Sequence, residues 1–493
     1  MNTTEILYLN PNYFIRHDET RSLLWARDEP VAEEKYMKPF HSFIHPYHAE
    51  ILCQFDGYTN TDEILDKSVL GKTNRDSLIR FIDALTENEK PYYASFNGHQ
   101  LAFPSHLLLK RKTAEQRTIF GKCYKDSFSF EKLDFETRRL NYPIYLTYMV
   151  NTVCATDCLY CYADCRVRRK RQLTKQKLDE LFDEIKQHPI LDFTIMGGEF
   201  LLDENWEYIL TRLKELDQEP VISTKMALSH DVIKRLKMIG VKKIQISLDS
   251  VNPAMLHKLL KVNGEKYIKD MANSLRLLSE NGIAIKVNSV MTRYNSFAEN
   301  LYELLGFLSQ FNVCDVYVII AGFSLYKSPD FLPTKEDIAV LESCINNVKD
   351  KYRFDVKLLD KPPMDDFLNT YEKKAESFRN RSLCTGNLWQ AYIMPNGDVT
   401  FCEGTMSQPE LVMGNIIDKP FSEVWKNGHC DYLLDQRRYK GTACGSCDEF
   451  VKCHTEKGVC WKYIMMGYGK DNIYKPDPQC PKAPPVINPI FFN

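Results

Sequence analysis

The sequence predicts an α/β chain built on a partial (β/α)6 barrel, with a small α+β unit before it and a cysteine-rich unit after it. Three observations carry this expectation. From Tyr145 to about Asp350, six β-rich runs alternate with helical patterns, the mark of parallel strands joined by crossover helices. Ahead of them lie short strand-like runs, three amphipathic stretches and an Asn97-Gly98 hairpin signal. Behind them, Cys384 to Cys480 is cysteine-dense and rich in loop residues.

Length and composition bound the reading. At about 150 residues per domain, 493 residues suggest roughly three domains. An apolar fraction of 44% and a charged fraction of 26% are ordinary for a globular chain, and exclude a disordered tail, a collagen and a coiled coil. A net charge of −2 gives no electrostatic reason to expect nucleic acid. Apolar stretches such as Val316–Phe323 fall far below the roughly 18 residues a membrane helix needs. The opening MNTTEILYLN lacks a basic-then-apolar signal, so a cytoplasmic protein without a membrane partner is expected. In a reducing cytosol, 16 cysteines point to metal or redox chemistry rather than disulfides.

In the first unit, Glu5–Asn10, Tyr13–Asp18 and Ser22–Asp28 read as strands separated by turn residues. His48–Phe55 carries Ala49, Leu52 and Phe55 at helical spacing and stops at Asp56-Gly57. Asn60 with Glu63 resembles a capping box opening a second helix. Asn74 is placed to cap a third, with Leu78, Ile82 and Leu85 on one face. The hairpin follows, and together these elements make a winged-helix-like unit over 1–105. Residues 106–142 read as a charged linker.

The barrel strands expected over 143–350 are Tyr145–Thr152, Phe193–Gly198, Pro220–Lys225, Lys242–Leu248, Ala284–Thr292 and Val316–Ile320. Helices fill the gaps, as over Leu178–Ile185 with Leu178, Phe182 and Ile185 on one face. Active residues then belong at the C-terminal strand ends. A bridging region over 351–383 leads to the cysteine-rich unit, 384–493.

Cys154, Cys158 and Cys161 follow the first strand with spacing C-x3-C-x2-C. Three thiolates on one tight loop can hold three corners of a 4Fe–4S cluster and leave the fourth iron open. A structural zinc site would want a closed set of four ligands. Cys165 lies four residues on, but the loop would have to double back. With Tyr160 before the last cysteine, this order resembles the radical S-adenosylmethionine (SAM) superfamily, a TIM-like partial barrel. The resemblance covers about residues 145–325. It implies that Met196-Gly197-Gly198-Glu199 meets the SAM ammonium and that Ser247, Asp249 and Ser250 supply ribose and methionine contacts. Thr224, Lys225, Asn288 and Asn295 are further polar candidates. Phe200 stands where the family usually has proline.

The second group runs Cys384, Gly397, Cys402, then Cys444-x2-Cys447-x5-Cys453-x6-Cys460, and Cys480-Pro481. It resembles the SPASM extension of radical SAM enzymes that act on peptides and proteins, with x6 before Cys460 where x3 is common. The resemblance implies two auxiliary 4Fe–4S clusters, for three in all. Cys444, Cys447, Cys453 and Cys480 would ligate the outer one, and Cys384, Cys402 and Cys460 the inner one. One of eight positions stays unfilled, to be taken by a non-cysteine ligand, by Cys344 or Cys430, or left open for a substrate thiolate. Cys53, Cys123, Cys165, Cys314, Cys344 and Cys430 fit neither pattern and read as small buried hydrophobes.

Leu9-x-Pro-x-Tyr-x-Ile-Arg and the stretch from Ile44 through Asp56-Gly57 to Ile64 resemble a PqqD-like peptide-recognition element. Such elements add a precursor's leader as a strand to a sheet edge. The resemblances together imply a radical SAM peptide maturase. It would use a 5′-deoxyadenosyl radical to crosslink a ribosomally made precursor peptide, with electrons from a flavodoxin or ferredoxin. The ranthipeptide type, joining a Cys sulfur to carbon, is the most similar. A carbon–carbon (cyclophane-type) maturase and an enzyme oxidising a protein Ser or Cys share most of the motifs. A zinc-containing winged-helix protein binding nucleic acid is the alternative from another class, but residues 1–110 show no concentrated basic helix. The basic run Arg166–Arg171 reads as a solvated loop able to attract an acidic peptide.

Overall fold

The computed structural model describes residues 3–27, 40–111, 123–124, 132–163, 170–322, 324, 326–359, 371–381, 384–406, 408–427 and 431–486. Cys165, Cys430 and residues 166–169 of the basic run lie outside them. The chain divides into two compact units, Met1–Tyr142 and Pro143–Asn493.

The first unit begins with β1 (Ile6–Leu9), β2 (Tyr13–His17), β3 (Ser22–Ala26) and β4 (His41–Ile44). Then come α1 (Pro46–Leu52), β5 (Asp56–Asn60), α2 (Thr61–Lys67) and α3 (Val69–Leu85). The hairpin β6 (Tyr92–Phe96) and β7 (His99–Phe103), β8 (Leu108–Lys110) and β9 (Cys123–Tyr124) complete it. Asn97 and Gly98 turn the hairpin with φ of 47° and 84°, values that suit a type I′ turn. Asn60 and Glu63 cap α2 reciprocally: Glu63 N donates to Asn60 Oδ1 at 2.9 Å and Asn60 Nδ2 to Glu63 Oε1 at 3.0 Å.

Three expectations need correcting. Asn74 does not open the third helix, which Ser68 caps; it lies at φ −139°, ψ 39° at a kink between two helical segments, the second carrying Leu78, Ile82 and Leu85. Asp56-Gly57 is not merely a stop but opens β5, which pairs with β1. Residues 108–110 are not linker, because β8 pairs antiparallel with the other edge of β1. The segment from Asp134 to Tyr142 is also tied into this unit. Buried Arg21 donates to the carbonyls of Asp134 and Arg139 at 3.3 and 2.9 Å, and buried Arg16 to that of Tyr142 at 2.6 Å. Asp18 lies between the two guanidiniums at 3.4 Å from each, so neither buried charge is left uncompensated.

In the second unit all six expected strands form. They are β10 (Tyr145–Met149), β11 (Asp192–Met196), β12 (Ser223–Thr224), β13 (Lys243–Ser247), β14 (Ala284–Met291) and β15 (Val313–Ile320). Helices α4 (Lys175–Gln187), α5 (Trp206–Glu215), α6 (His230–Ile239), α7 (Pro253–Leu260), α8 (Gly264–Glu280), α9 (Ala298–Leu308) and α10 (Lys335–Val348) alternate with or follow them. A seventh strand, β16 (Asp355–Leu359), extends the sheet beside β15 where a bridging region was expected. The chain continues through α11 (Tyr371–Asn380), β17 (Gln390–Ile393), β18 (Asp398–Thr400), β19 (Gly414–Asn415), α12 (Phe421–Asn427) and α13 (Trp461–Tyr468).

The strands fall into two sheets, ordered β11-β10-β17-β18-β19 and β12-β13-β14-β15-β16. Every pairing among β10–β16 is parallel. The cysteine-rich region is therefore not a separate bead on the barrel. Its strand β17 pairs in parallel with β10, from Tyr145 opposite Gln390 to Tyr148 opposite Ile393. The helices bury apolar faces against the sheets, as α4 does with Leu178, Leu181, Phe182 and Ile185. This scaffold brings the C-terminal ends of β10–β15 to one rim. Among the described residues no helix is long and apolar enough to cross a membrane.

Candidate functional site

The cysteine loop leaves β10 and is fixed to the loop after β11. Val150 N donates to Met196 O at 2.9 Å and Gly198 N to Asn151 O at 2.8 Å. Both glycines are needed by packing. A Cβ on Gly197 would stand 2.9 Å from Asn151 O, and one on Gly198 would stand 2.4 Å from Val153 O. The far side of the loop rests on α7: Asp157 N donates to Leu260 O at 3.0 Å and Leu159 N to Leu259 O at 2.9 Å. Ser324 Oγ adds a bond to Cys161 O at 2.7 Å. Cys154, Cys158 and Cys161 are thus held by hydrogen bonds on three sides of their loop, and all three are half-buried.

Asn151 was not singled out by the sequence, because a lone buried asparagine has no motif. Its Oδ1 accepts from Val153 N at 3.0 Å, and its Nδ2 donates to Glu199 O at 3.1 Å. It therefore braces the cysteine loop against the Gly-Gly-Glu loop.

Glu199 is 4% exposed. Its Oε2 accepts from Lys225 N at 3.1 Å, while the buried Oε1 has no hydrogen-bond partner. Burial raises its pKa, against the lowering pull of its hydrogen bonds and Lys225. A buried carboxylate oxygen without a donor is matched to an ammonium group arriving from outside. Asn288 Oδ1, within β14 opposite Ser247, is likewise buried and unpartnered.

Lys225 Nζ donates to Tyr160 OH at 2.8 Å and to Asp249 Oδ2 at 3.1 Å, and Tyr160 OH itself bonds Asp249. Burial works against the Lys225 charge, but Asp249 and the Cys158 thiol hold its pKa raised. The Tyr160 phenol is pushed up by burial and then by Asp249, so it stays protonated and donates. Asp249 is fully buried, with Oδ1 accepting from Val290 N at 2.9 Å. Thr224 accepts from Met226 N at 3.0 Å, and Ser247 from Gln245 Nε2 at 2.9 Å. The structure therefore brings Tyr160, Gly197, Gly198, Glu199, Thr224, Lys225 and Asp249 to the three-cysteine loop, with Ser247 ending β13 and Asn288 paired opposite it within β14. It does not free Asn295 for a ligand. Asn295 Nδ2 donates to Asp249 O and Val290 O at 3.1 and 3.0 Å, and its Oδ1 accepts from Thr292 N at 2.7 Å, so it braces a turn. Ser250 likewise bonds inward, to Asn300.

Seven of the remaining cysteines crowd one another in two sets. Cys444 is pushed up to about 12 by burial and then by Cys480, Cys453 and Cys447. Cys402 is pushed up to about 11 by burial, Glu403 and Cys384, while Cys460 rises through burial, Asp477, Cys384 and Cys402. Buried thiols that crowd one another this way ionise together only when cations neutralise them. Among the described residues no three His, Cys, Asp or Glu side chains form a group for a single metal ion. The extra residues before Cys460 form a π-helical turn, Lys452–Lys457, closed by Gly458 at φ 71°. That turn packs on the inner group, with Cys384 N donating to Lys457 O at 2.8 Å. His454, beside Cys453, stacks on Phe450 and bonds Phe450 O at 3.0 Å.

Residues 148–305 match the radical SAM superfamily. The chain is a radical SAM enzyme. Residues 384–448 of this radical SAM enzyme match the SPASM iron–sulfur cluster-binding domain. Its cofactors are accordingly iron–sulfur clusters and SAM. A probable GTP 3′,8-cyclase of Pyrobaculum aerophilum is 26% identical over 30% of this chain, and the match spans only 48% of that relative. The mycofactocin maturase MftC of Mycolicibacterium smegmatis is 24% identical over 70% of this chain and 84% of its own length. The fold resembles Streptococcus suis SuiB bound to SAM, with TM-score 0.61 and 13% identity over 96% of this chain and 99% of SuiB. SuiB bound to its precursor peptide SuiA gives TM-score 0.59 at 14% identity, covering 96% and 98%.

Proposed function

We propose that this enzyme is a peptide maturase that installs a crosslink, a thioether from a Cys sulfur to a carbon, in a ribosomally synthesised precursor peptide. Cys154, Cys158 and Cys161 would hold a 4Fe–4S cluster, with SAM bound against Glu199 and the Lys225–Asp249 pair. Outer and inner auxiliary clusters would sit on the two cysteine groups, for three clusters in all. When bound, the first cluster and SAM supply a 5′-deoxyadenosyl radical able to remove hydrogen from an unactivated peptide carbon. The chain's own part is to orient and to exclude water. Glu199 fixes the SAM ammonium, and Gly197 and Gly198 let backbone approach it. Tyr160 and Lys225 brace the floor next to Cys158.

The observation that favours thioether chemistry is the inner group. Among the described residues it gathers three thiols, Cys384, Cys402 and Cys460, against four in the outer group. An open fourth corner is a place for a substrate thiolate. The printed names of MftC and of the SuiB–SuiA complex support a peptide substrate. The first unit would be the PqqD-like, winged-helix element that binds the leader, and a flavodoxin or ferredoxin would supply electrons.

Mass spectrometry of a precursor peptide encoded beside this gene, after reaction with reductant and SAM, tests the reading. A two-dalton loss with a thiol no longer alkylatable supports the thioether. A two-dalton loss with every thiol free selects carbon–carbon linkage, and an unchanged peptide contradicts maturation.

A further inference from the structure

The two auxiliary cysteine groups differ in what touches them. Arg381, just past α11, donates from NH2 to Cys453 Sγ at 3.3 Å. The guanidinium is held in place. NH2 also donates to Gly458 O at 2.8 Å, NH1 to Phe378 O at 2.6 Å, and the group lies 3.7 Å over the Phe378 ring. A second cation, Lys482 Nζ, lies 3.6 Å from Cys447 Sγ. Two of the four outer sulfurs therefore each carry a positively charged N–H donor.

The inner group has different donors. The donor to Cys402 Sγ is the neutral backbone N–H of Gly404 at 3.4 Å. The nearby Lys462 is neutralised by Glu403 at 3.0 Å. The backbone N–H of Cys460 donates at 3.0 Å to Oδ2 of Asp477, a carboxylate only 3% exposed. Asp477 is shared by both groups, since it also raises the thiols of Cys444, Cys453 and Cys480, so what separates the groups is the pair of cationic donors on the outer sulfurs.

We propose that these surroundings set the two auxiliary clusters at different reduction potentials, the outer above the inner, with Arg381 the residue chiefly responsible. Adding an electron makes a cluster more negative. Positive charge and N–H···S bonds on its thiolates favour that reduced state. With both clusters bound, an electron on the inner one would pass downhill to the oxidised outer one, the inner losing the electron that the outer gains. Arg381 is a positioning residue in this scheme, acting through Cys453. The inference rests on the reading that both groups bind clusters.

The test is an EPR-monitored redox titration of the reconstituted full-length enzyme, with iron content measured in parallel. A Cys444→Ala/Cys447→Ala variant assigns the outer signal. Two titrating auxiliary signals, with the outer at the higher potential, are expected. Arg381→Met should lower the outer midpoint more than the inner one, and Arg381→Lys should restore part of the shift. If Arg381→Met loses iron, the exposed Lys482→Met variant takes its place, with a smaller downward shift expected. Equal potentials, an inner midpoint that moves as far as the outer, or no shift in the variant that retains its iron overturns the proposal. A single auxiliary signal in the wild type would instead contradict the two-cluster reading on which it stands.

Discussion

The Asn151 side chain donates to the Glu199 backbone carbonyl at 3.1 Å, which joins the loop that carries the cysteines to the Gly-Gly-Glu loop proposed to meet SAM. One carboxamide thus couples two sites that the sequence presents as separate motifs. Removing it should damage both. Asn151→Ala is expected to lower iron content and SAM affinity together, whereas Glu199→Gln should leave iron intact and weaken SAM binding about 10- to 100-fold, the worth of one charge-assisted hydrogen bond. Iron assay and anaerobic calorimetry separate the two outcomes.

Gly198 is the tightest point of that junction. A Cβ there would meet Val153 O at 2.4 Å, and the backbone oxygen cannot swing aside as a side chain would. Gly198→Ala should therefore push the cysteine loop away and lose the first cluster, a fall from about twelve irons to about eight per chain. The auxiliary signals should persist.

The six barrel strands were legible because parallel strands buried on both faces read as apolar runs. What was missed was short or polar. β16 is a five-residue run opened by Asp355, and β5 begins with Asp56-Gly57. Asp56 shows why turn chemistry misled: its Oδ1 accepts from Tyr58 N and Thr59 N at 2.8 Å, a local turn built into a strand that still pairs with β1. The cysteine spacing also made the SPASM domain legible. Asn151, Arg381 and Asp477 were invisible, since each is a single polar residue whose meaning comes only from what the fold sets beside it. Asn295 erred the other way, being polar and at a strand end but spent on its own turn.

His48 gives the first unit a pH dependence. It packs 4.8 Å from the Phe81 ring centroid and 5.3 Å from that of Phe103. Burial, then the neighbouring His45, lowers its pKa to about 4. The unfolded chain binds a proton near pH 6.5 that the folded chain refuses, so stability is full above that pH and falls as pH drops toward 4. The loss reaches about 3 kcal/mol at most. Amide-exchange protection of α1 in the whole protein should decline between pH 7 and pH 5, and His48→Leu should flatten the decline.

The lengthened spacing before Cys460 makes a local prediction. Gly458 closes the π-helical turn at φ 71°, and a Cβ there would stand 2.9 Å from Cys384 Cβ. Gly458→Ala should perturb the inner auxiliary signal in EPR more than the first cluster, because the added methyl presses on Cys384 itself.

The central claim is that Cys154, Cys158 and Cys161 hold the cluster that cleaves SAM. It is tested most directly by measuring 5′-deoxyadenosine from the reduced wild type and from the triple alanine variant, each reconstituted with iron and sulfide. The wild type should release it, and the variant should release none above background while keeping its auxiliary clusters. SAM cleavage by the triple variant at the wild-type rate would contradict the account.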